Sequence, residues 1–431
     1  MQSGLSDRAA TRQCCSASST HTEHPWRRHG ATHCLLHRLQ LAPSLLKAPV
    51  ARRAPKAARV QFYTSATLAA ERPSETTASD AASPLKASDA TGHINWDSLG
   101  FGVEHIAPIM FRATYTAEDG WQGGLEPYGP LEMLPSAQVL NYGQSVFEGM
   151  KAQRSARGRI VLFRPEENAV RMRAGAARLS MPPPPMELYV EAVTSAVRAN
   201  AAWVPPRGRG SLYLRPLLLG TGPILGLGPA PAYTLVVYAA AVGCYFKCGQ
   251  LTPIDLIVEE RFHRAAPGGM GGTKAAGNYS PVLMTQLAAK EQGYNDVVYL
   301  DAKTDTYLEE VSSCNIFTVT GRTIRTPPLE GTILPGVTRR SLIELARARG
   351  YTVEEVPIPV ADAMEADEVF TSGTAVVVSA VGSITYQGRR RQYGELGRPS
   401  PVTLEMYEAL TSLQQELDDD PFGWVVPVCE C

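Results

Sequence analysis

The stretch Pro267-Gly-Gly-Met-Gly-Gly-Thr-Lys274-Ala-Ala-Gly-Asn-Tyr279 constrains this chain more than any other, because it gathers five glycines around one lysine. Glycine lacks a Cβ, so backbone here can approach a ligand closely and take dihedrals that other residues avoid. A lysine that is partly desolvated, or set near other cations, loses its proton and becomes an amine able to form a Schiff base. The same composition also suits a mobile surface loop with a solvated lysine. Other segments must decide between the two.

With 431 residues the chain has room for two or more domains. No apolar run approaches the roughly 20 residues that span a bilayer, so no membrane partner is expected. The net charge of −1 conceals an asymmetry: residues 1–70 carry ten Lys/Arg against two acids, which leaves 31 against 40 for the rest. An acidic body argues against nucleic acid as a partner, since phosphate backbones are held by clustered Lys/Arg. The basic leader is rich in Ser, Thr and Ala and lacks the apolar core of a secretory signal. Residues 1–70 are therefore expected to be a transit peptide for mitochondrion or plastid, and 71–92 a disordered linker. Five of the eight histidines lie in that leader and no HExxH or CxxC occurs, so no metal site is expected. The eight cysteines lack a framework spacing and suit free thiols in a reducing compartment.

Along the body, short β-like runs fill 104–162, and Arg164-Pro-Glu-Glu opens a helix that carries Arg171. Ser211-Leu-Tyr213-Leu-Arg215-Pro predicts a strand with an arginine among apolar residues, costly to bury unless paired or awaiting an anion. The glycines of 220–231 do not have phosphate-loop spacing. After Tyr279, Ser280 and Pro281 begin a helix whose expected apolar face is Val282, Leu283, Leu287 and Ala288. In Tyr307-Leu-Glu309-Glu310-Val-Ser-Ser-Cys-Asn315, strand alternation separates the two acids, so one can face inward. Gly331-Thr-Ile-Leu-Pro-Gly-Val337-Thr338 opens an amphipathic helix whose free N–H groups suit a phosphate. The turn Thr371-Ser-Gly-Thr374-Ala375 offers hydroxyls and N–H groups to an oxygen anion.

An amine, phosphate donors, an arginine, a tyrosine and a buried acid are together what pyridoxal 5′-phosphate requires. Moreover, six stretches resemble, in order, the branched-chain amino acid aminotransferases of pyridoxal-phosphate fold type IV, especially plant and algal organellar ones. They are Tyr142-Gly-Gln-Ser-Val-Phe-Glu-Gly, Tyr213-Leu-Arg-Pro, Gly271-Gly-Thr-Lys-Ala-Ala-Gly-Asn-Tyr, Glu309-Glu-Val-Ser-Ser-Cys-Asn-Ile-Phe, Leu334-Pro-Gly-Val-Thr-Arg and Ser372-Gly-Thr-Ala. Aminodeoxychorismate lyase and D-amino acid aminotransferase share the lysine, glutamate and phosphate turn. The Val-Phe-Glu-Gly and Tyr-Leu-Arg-Pro stretches favour the branched-chain group, and a non-catalytic pyridoxal-phosphate-binding protein is the remote alternative.

The resemblance implies an α+β chain with a smaller N-terminal domain (93–244), a linker (245–252) and a larger pseudobarrel domain (253–425), the active site lying between. It implies Lys274 as the cofactor amine and proton shuttle, Glu310 at the ring nitrogen with Glu309 a bystander, and Tyr279 at the phenolate oxygen. Arg171, Val337, Thr338 and Thr374 would hold the phosphate. Tyr213, Thr374 and Ala375 would receive the substrate carboxylate, with Arg215 orienting them. Tyr142, Phe147, Gly149 and Tyr245 would line an apolar pocket, joined by Leu225 and Leu227 of a homodimer partner. Leucine, isoleucine and valine would be the donors and 2-oxoglutarate the acceptor, giving glutamate, because one methylene discriminates by only about 1–3 kcal/mol. Animal members carry a redox CxxC after the Ser-Gly-Thr-Ala turn; here Val376-Val-Val-Ser379 stands there, and no thiol switch is expected.

Overall fold

The computed structural model describes residues 91–92, 94–244 and 251–430. The leader, most of the 71–92 linker, Tyr245 and the start of the 245–252 segment lie outside the described residues.

Two sheets carry the structure. The first is antiparallel and runs Val425–Glu430, Arg159–Phe163, Met150–Arg154, Ser211–Gly220, Tyr233–Val242, Ile109–Thr116, Gly120–Pro127, with Ser145–Phe147 also paired to Ser211–Gly220. Alternation along Ser211–Gly220 buries Leu212, Leu214 and Leu218 in the core and turns Tyr213 and Arg215 to the other face. Helices Pro165–Arg178 and Met186–Ala199 contribute Met172, Ala176, Tyr189 and Val193 to that core.

The second sheet has the order Leu308–Val311, Asp296–Leu300, Ile254–Glu259, Val377–Tyr386, Glu368–Gly373, Asn315–Thr320, Thr323–Thr326, Thr352–Glu355. An additional pairing joins Leu308–Val311 to Asn315–Thr320, so six of these strands close into a barrel. The closing pair in register is Glu310↔Asn315. Closure removes a sheet edge and buries the seam strand on both sides, its four residues all lying inside. That corrects one expectation: Glu309 is as hidden as Glu310, at 6% and 1% exposure. Alternation still separates them, but the barrel's outer face is covered too.

The helix after the lysine loop, Val282–Glu291, uses a different face from the expected one. Val282, Thr285 and Ala289 pack inward, while Leu283 and Leu287 are exposed. The buried set recurs at three and four residues on the stripe that meets strand Asp296–Leu300. The Ser280 hydroxyl accepts no capping hydrogen bond, and Pro281 takes the N-cap position.

Candidate active site

Lys274 is held where the two sheets meet. Its carbonyl accepts the N–H of Phe147 at 3.1 Å, and Ala275 bridges Val146. On its other side Gly272 N–H donates to Gly331 O at 2.8 Å. A Cβ on Gly271 would lie 2.1 Å from Thr332 O. The glycines nearest the lysine on its N-terminal side are thus required for packing against 331–333, a backbone rather than a ligand. The Lys274 amine donates to Tyr279 Oη at 3.1 Å and lies 4.6 Å from the Phe147 ring centre. Phe147 and Tyr279 meet edge-to-face at 4.8 Å.

These groups face a cavity of about 940 Å³ that Tyr213, Arg215, Thr374 and Ala375 also line. Gly149 lines it as well, and a Cβ there would collide with Tyr213 Oη at 2.1 Å. Arg215 lies over the Phe147 and Tyr213 rings at 5.0 and 5.5 Å, and its buried Nε has no hydrogen-bond partner. Gly149 and Thr374 also line a second, smaller hollow, together with Val337 and Thr338. These two open helix Val337–Ala348, whose N-terminus carries no side-chain cap. Positive potential and unfilled N–H groups converge there.

Arg171 borders this turn, donating to Pro335 O at 3.0 Å. Its Nε and Nη2 grip both oxygens of Glu148 at 2.8 and 2.6 Å, and Glu148 also accepts Asn168 Nδ2 at 2.8 Å. Burial opposes the guanidinium charge, yet the Glu148 carboxylate outweighs it and holds the Arg171 pKa above its ordinary value. Removing Glu148 would strand a buried cation. Glu148→Ala is expected to lower unfolding stability by about 3 kcal/mol, checked by chemical denaturation.

Glu310 sits at the barrel seam. Asn315 Nδ2 donates to it at 2.9 Å, the Leu334 N–H donates to the same oxygen, and Arg264 Nη2 pairs with the other at 3.0 Å. Both members of that ion pair are 2% exposed. Burial pushes the Glu310 carboxyl up to about 7, while Arg264 and the Leu334 N–H pull it down. Burial also raises Glu309, whose Oε2 has no partner.

Four expected residues stand apart or beyond reach. Tyr142 is 46% exposed and donates to Leu225 O at 2.7 Å, on a surface where Leu225 and Leu227 are about nine-tenths exposed. None of these three lines the lysine cavity. Tyr245 lies outside the described residues. Residues that sequence reasoning missed are Glu148, Arg264 and Lys151; their only signal was a charge amid small or apolar neighbours. The free thiols among the described residues are Cys244, Cys314 and Cys429. Burial pushes the Cys314 thiol up to about 12, so it reacts poorly as a thiolate. Activity is expected to survive millimolar peroxide, measured by turnover before and after treatment; loss reversed by a thiol reductant would contradict this.

A fold of one open antiparallel sheet beside a closed barrel, with a lysine, a buried glutamate and two N–H-lined turns at their junction, has known relatives. Residues 145–384 match the amino-transferase class IV family. Branched-chain-amino-acid aminotransferase 5, chloroplastic, of Arabidopsis thaliana is 54% identical over 77% of this chain and 80% of its own length. Branched-chain amino acid aminotransferase 1, mitochondrial, of Humulus lupulus is 48% identical over 80% and 86%. Among solved structures, a T.th. branched-chain amino acid aminotransferase with pyridoxamine 5′-phosphate superposes with a TM-score of 0.65 at 28% identity, covering 75% of this chain and 99% of that one. The chain belongs to the class IV aminotransferases and, within them, to the branched-chain-amino-acid aminotransferase family.

Proposed function

We propose that the protein is an organellar, pyridoxal-phosphate-dependent aminotransferase that exchanges amino groups between leucine, isoleucine or valine and 2-oxoglutarate. The observation that carries this is the Lys274 amine on Tyr279, facing one cavity with an apolar wall and the Thr374–Ala375 turn. Family membership supplies the branched-chain substrates and the cofactor. The chloroplastic and mitochondrial relatives, with the basic leader, place the enzyme in plastid or mitochondrion.

The residues present fit that cofactor. Free N–H groups at the Val337 helix start suit its phosphate, Tyr279 its phenolate oxygen, Lys274 its aldehyde, and Glu310 its ring nitrogen. Bound there, the cofactor supplies a protonated ring that takes up the electron pair left when a Cα–H bond breaks. Lys274 Nζ would take the Cα proton and deliver it to the cofactor's C4′ carbon. Glu310, buried with Arg264 as counter-charge, would present its carboxylate to the ring nitrogen. Arg171, fixed by Glu148, adds positive charge at the phosphate end.

For the substrate, Tyr213 Oη and the N–H groups of the Thr374–Ala375 turn receive the α-carboxylate. Phe147 and Gly149 leave room for a branched aliphatic chain. The unpartnered Arg215 Nε meets the distal carboxylate of 2-oxoglutarate when that substrate occupies the same pocket. Tyr142 and Leu225 form one surface unit, so a homodimer in which each subunit extends Tyr142, Leu225 and Leu227 to its partner's pocket accounts for their exposure.

The test uses the chain from about residue 90, purified with its cofactor. Leucine should bleach the visible absorbance, and glutamate should accumulate once 2-oxoglutarate is added. A band that no branched-chain amino acid alters would remove this function. Arg215→Met is expected to raise KM for 2-oxoglutarate roughly tenfold more than for leucine, because one charged hydrogen bond is lost with only one of them.

A further inference from the structure

We propose that Lys151 is a positioning residue for the substrate carboxylate, clamping the Ala375 peptide so that the turn after Gly373 presents its N–H groups to the cavity. This rests on the aminotransferase reading above and adds a residue from the opposite sheet.

Lys151 lies on strand Met150–Arg154, directly opposite Tyr213 in register, so both side chains leave the same face of the first sheet. Its neighbours Met150 and Ala152 point the other way, into the core. The amine crosses to the second sheet and donates to Ala375 O at 2.6 Å, across 224 residues of chain. A peptide plane holds its C=O and the following N–H on opposite sides. Tying the Ala375 oxygen to Lys151 therefore turns the Val376 N–H away from that lysine.

Among the described residues no other side chain donates to a carbonyl of this turn. Among the described residues the N–H groups of Thr374, Ala375 and Val376 donate to nothing, while all three residues line the lysine cavity. Successive unfilled N–H groups in a tight turn form a concavity for an anion. Val377 closes the turn with φ of +62°, a left-handed conformation that a β-branched residue adopts only under constraint. Its side chain is buried in the core with Leu342 and Leu410, which holds that conformation from behind. Lys151 holds the turn from in front. A charged donor also draws electron density toward Ala375 O, which strengthens the adjoining N–H as a donor.

Among the described residues, the charged and titratable groups near the amine are Cys244, Arg154 and Tyr407 in the adjoining hollow and Tyr213 opposite in register. Burial lowers the Lys151 pKa to about 8, with Cys244 opposing. The amine is therefore charged below about pH 8 and neutral above it.

The test compares wild type, Lys151→Met and Lys151→Arg, each loaded with cofactor. Wild-type turnover of leucine must be present first; its absence would remove the aminotransferase reading itself. Lys151→Met is expected to raise KM for leucine and for 2-oxoglutarate about tenfold each, as loss of one charged hydrogen bond predicts, with kcat within threefold. Calorimetry should show the same tenfold weakening for 4-methylvaleric acid, which keeps leucine's carboxylate and carbon skeleton without its amine. Lys151→Arg should restore affinity. The wild type should lose 4-methylvalerate affinity as pH rises through about 8, and Lys151→Arg, always charged, should not. Unchanged 4-methylvalerate affinity in Lys151→Met overturns the proposal. If that variant does not fold, an inflection retained in Lys151→Arg overturns it equally.

Discussion

Lys274→Ala is expected to abolish turnover while leaving the fold intact. The lysine's main-chain bonds to Phe147 and its neighbours do not involve its side chain. Only the amine on Tyr279 is lost, and with it both the covalent link to the cofactor and the base that moves the Cα proton. General acid–base catalysis by one positioned group is worth up to about 10⁴-fold, so leucine turnover should fall by roughly that factor. The absorbance of the covalently bound cofactor should vanish, while equilibrium dialysis should still detect pyridoxal phosphate held through the 337–338 turn. Turnover within tenfold of wild type would dismiss Lys274 from this role.

Glu310→Ala should damage both stability and chemistry, and the two effects can be separated. It strands Arg264 without counter-charge in a site 2% exposed, a situation that costs about 3–5 kcal/mol. It also removes the acceptor shared by Asn315 and Leu334. Turnover should drop roughly 10²–10³-fold for loss of a charged group aimed at the developing charge. The double variant Glu310→Ala/Arg264→Met should regain most of the stability, since no unpaired charge remains, but none of the turnover. Recovery of turnover would show that Glu310 matters only as a structural anion. In the cofactor-free protein, Glu310 titrates near 7 rather than near the unfolded value of about 4.3. The native state then holds an extra proton between those values. Its contribution to stability is full below the lower value and declines as pH rises through about 7. Glu310→Gln should flatten that decline in denaturation midpoints measured from pH 4 to 8.

What was legible in the sequence was whatever chemistry sits on a short run of chain. Lys274 and Tyr279 lie five residues apart, as do Glu310 and Asn315, and the 334–338 turn carries its own grammar of Pro, Gly and a helix start. The groups that hold these in place come from far away. Glu148 grips Arg171 from 23 positions earlier, and Arg264 reaches Glu310 across 46. Neither has a local pattern, because a buried ion pair is recognised by geometry rather than spacing. Leu283 and Leu287 were misread for a related reason: the helix's packing stripe depends on where strand Asp296–Leu300 lies, not on which residues are most apolar. Tyr142 has no local pattern that tells which surface it serves; its hydroxyl donates to Leu225 O in the exposed 220–231 loop.

The pinning of Lys274 has a kinetic corollary. Its backbone is tied to Phe147 ahead of it and, through Gly272, to Gly331 behind it. The anchor does not travel during a catalytic cycle; only the four carbons between Cα and amine rotate. Such rotations run in picoseconds to nanoseconds, far faster than the microsecond-to-millisecond closure of loops that limits many enzymes. The swing of the lysine side chain should therefore never be the slow event in turnover, which leaves the making and breaking of bonds or product escape to set the pace.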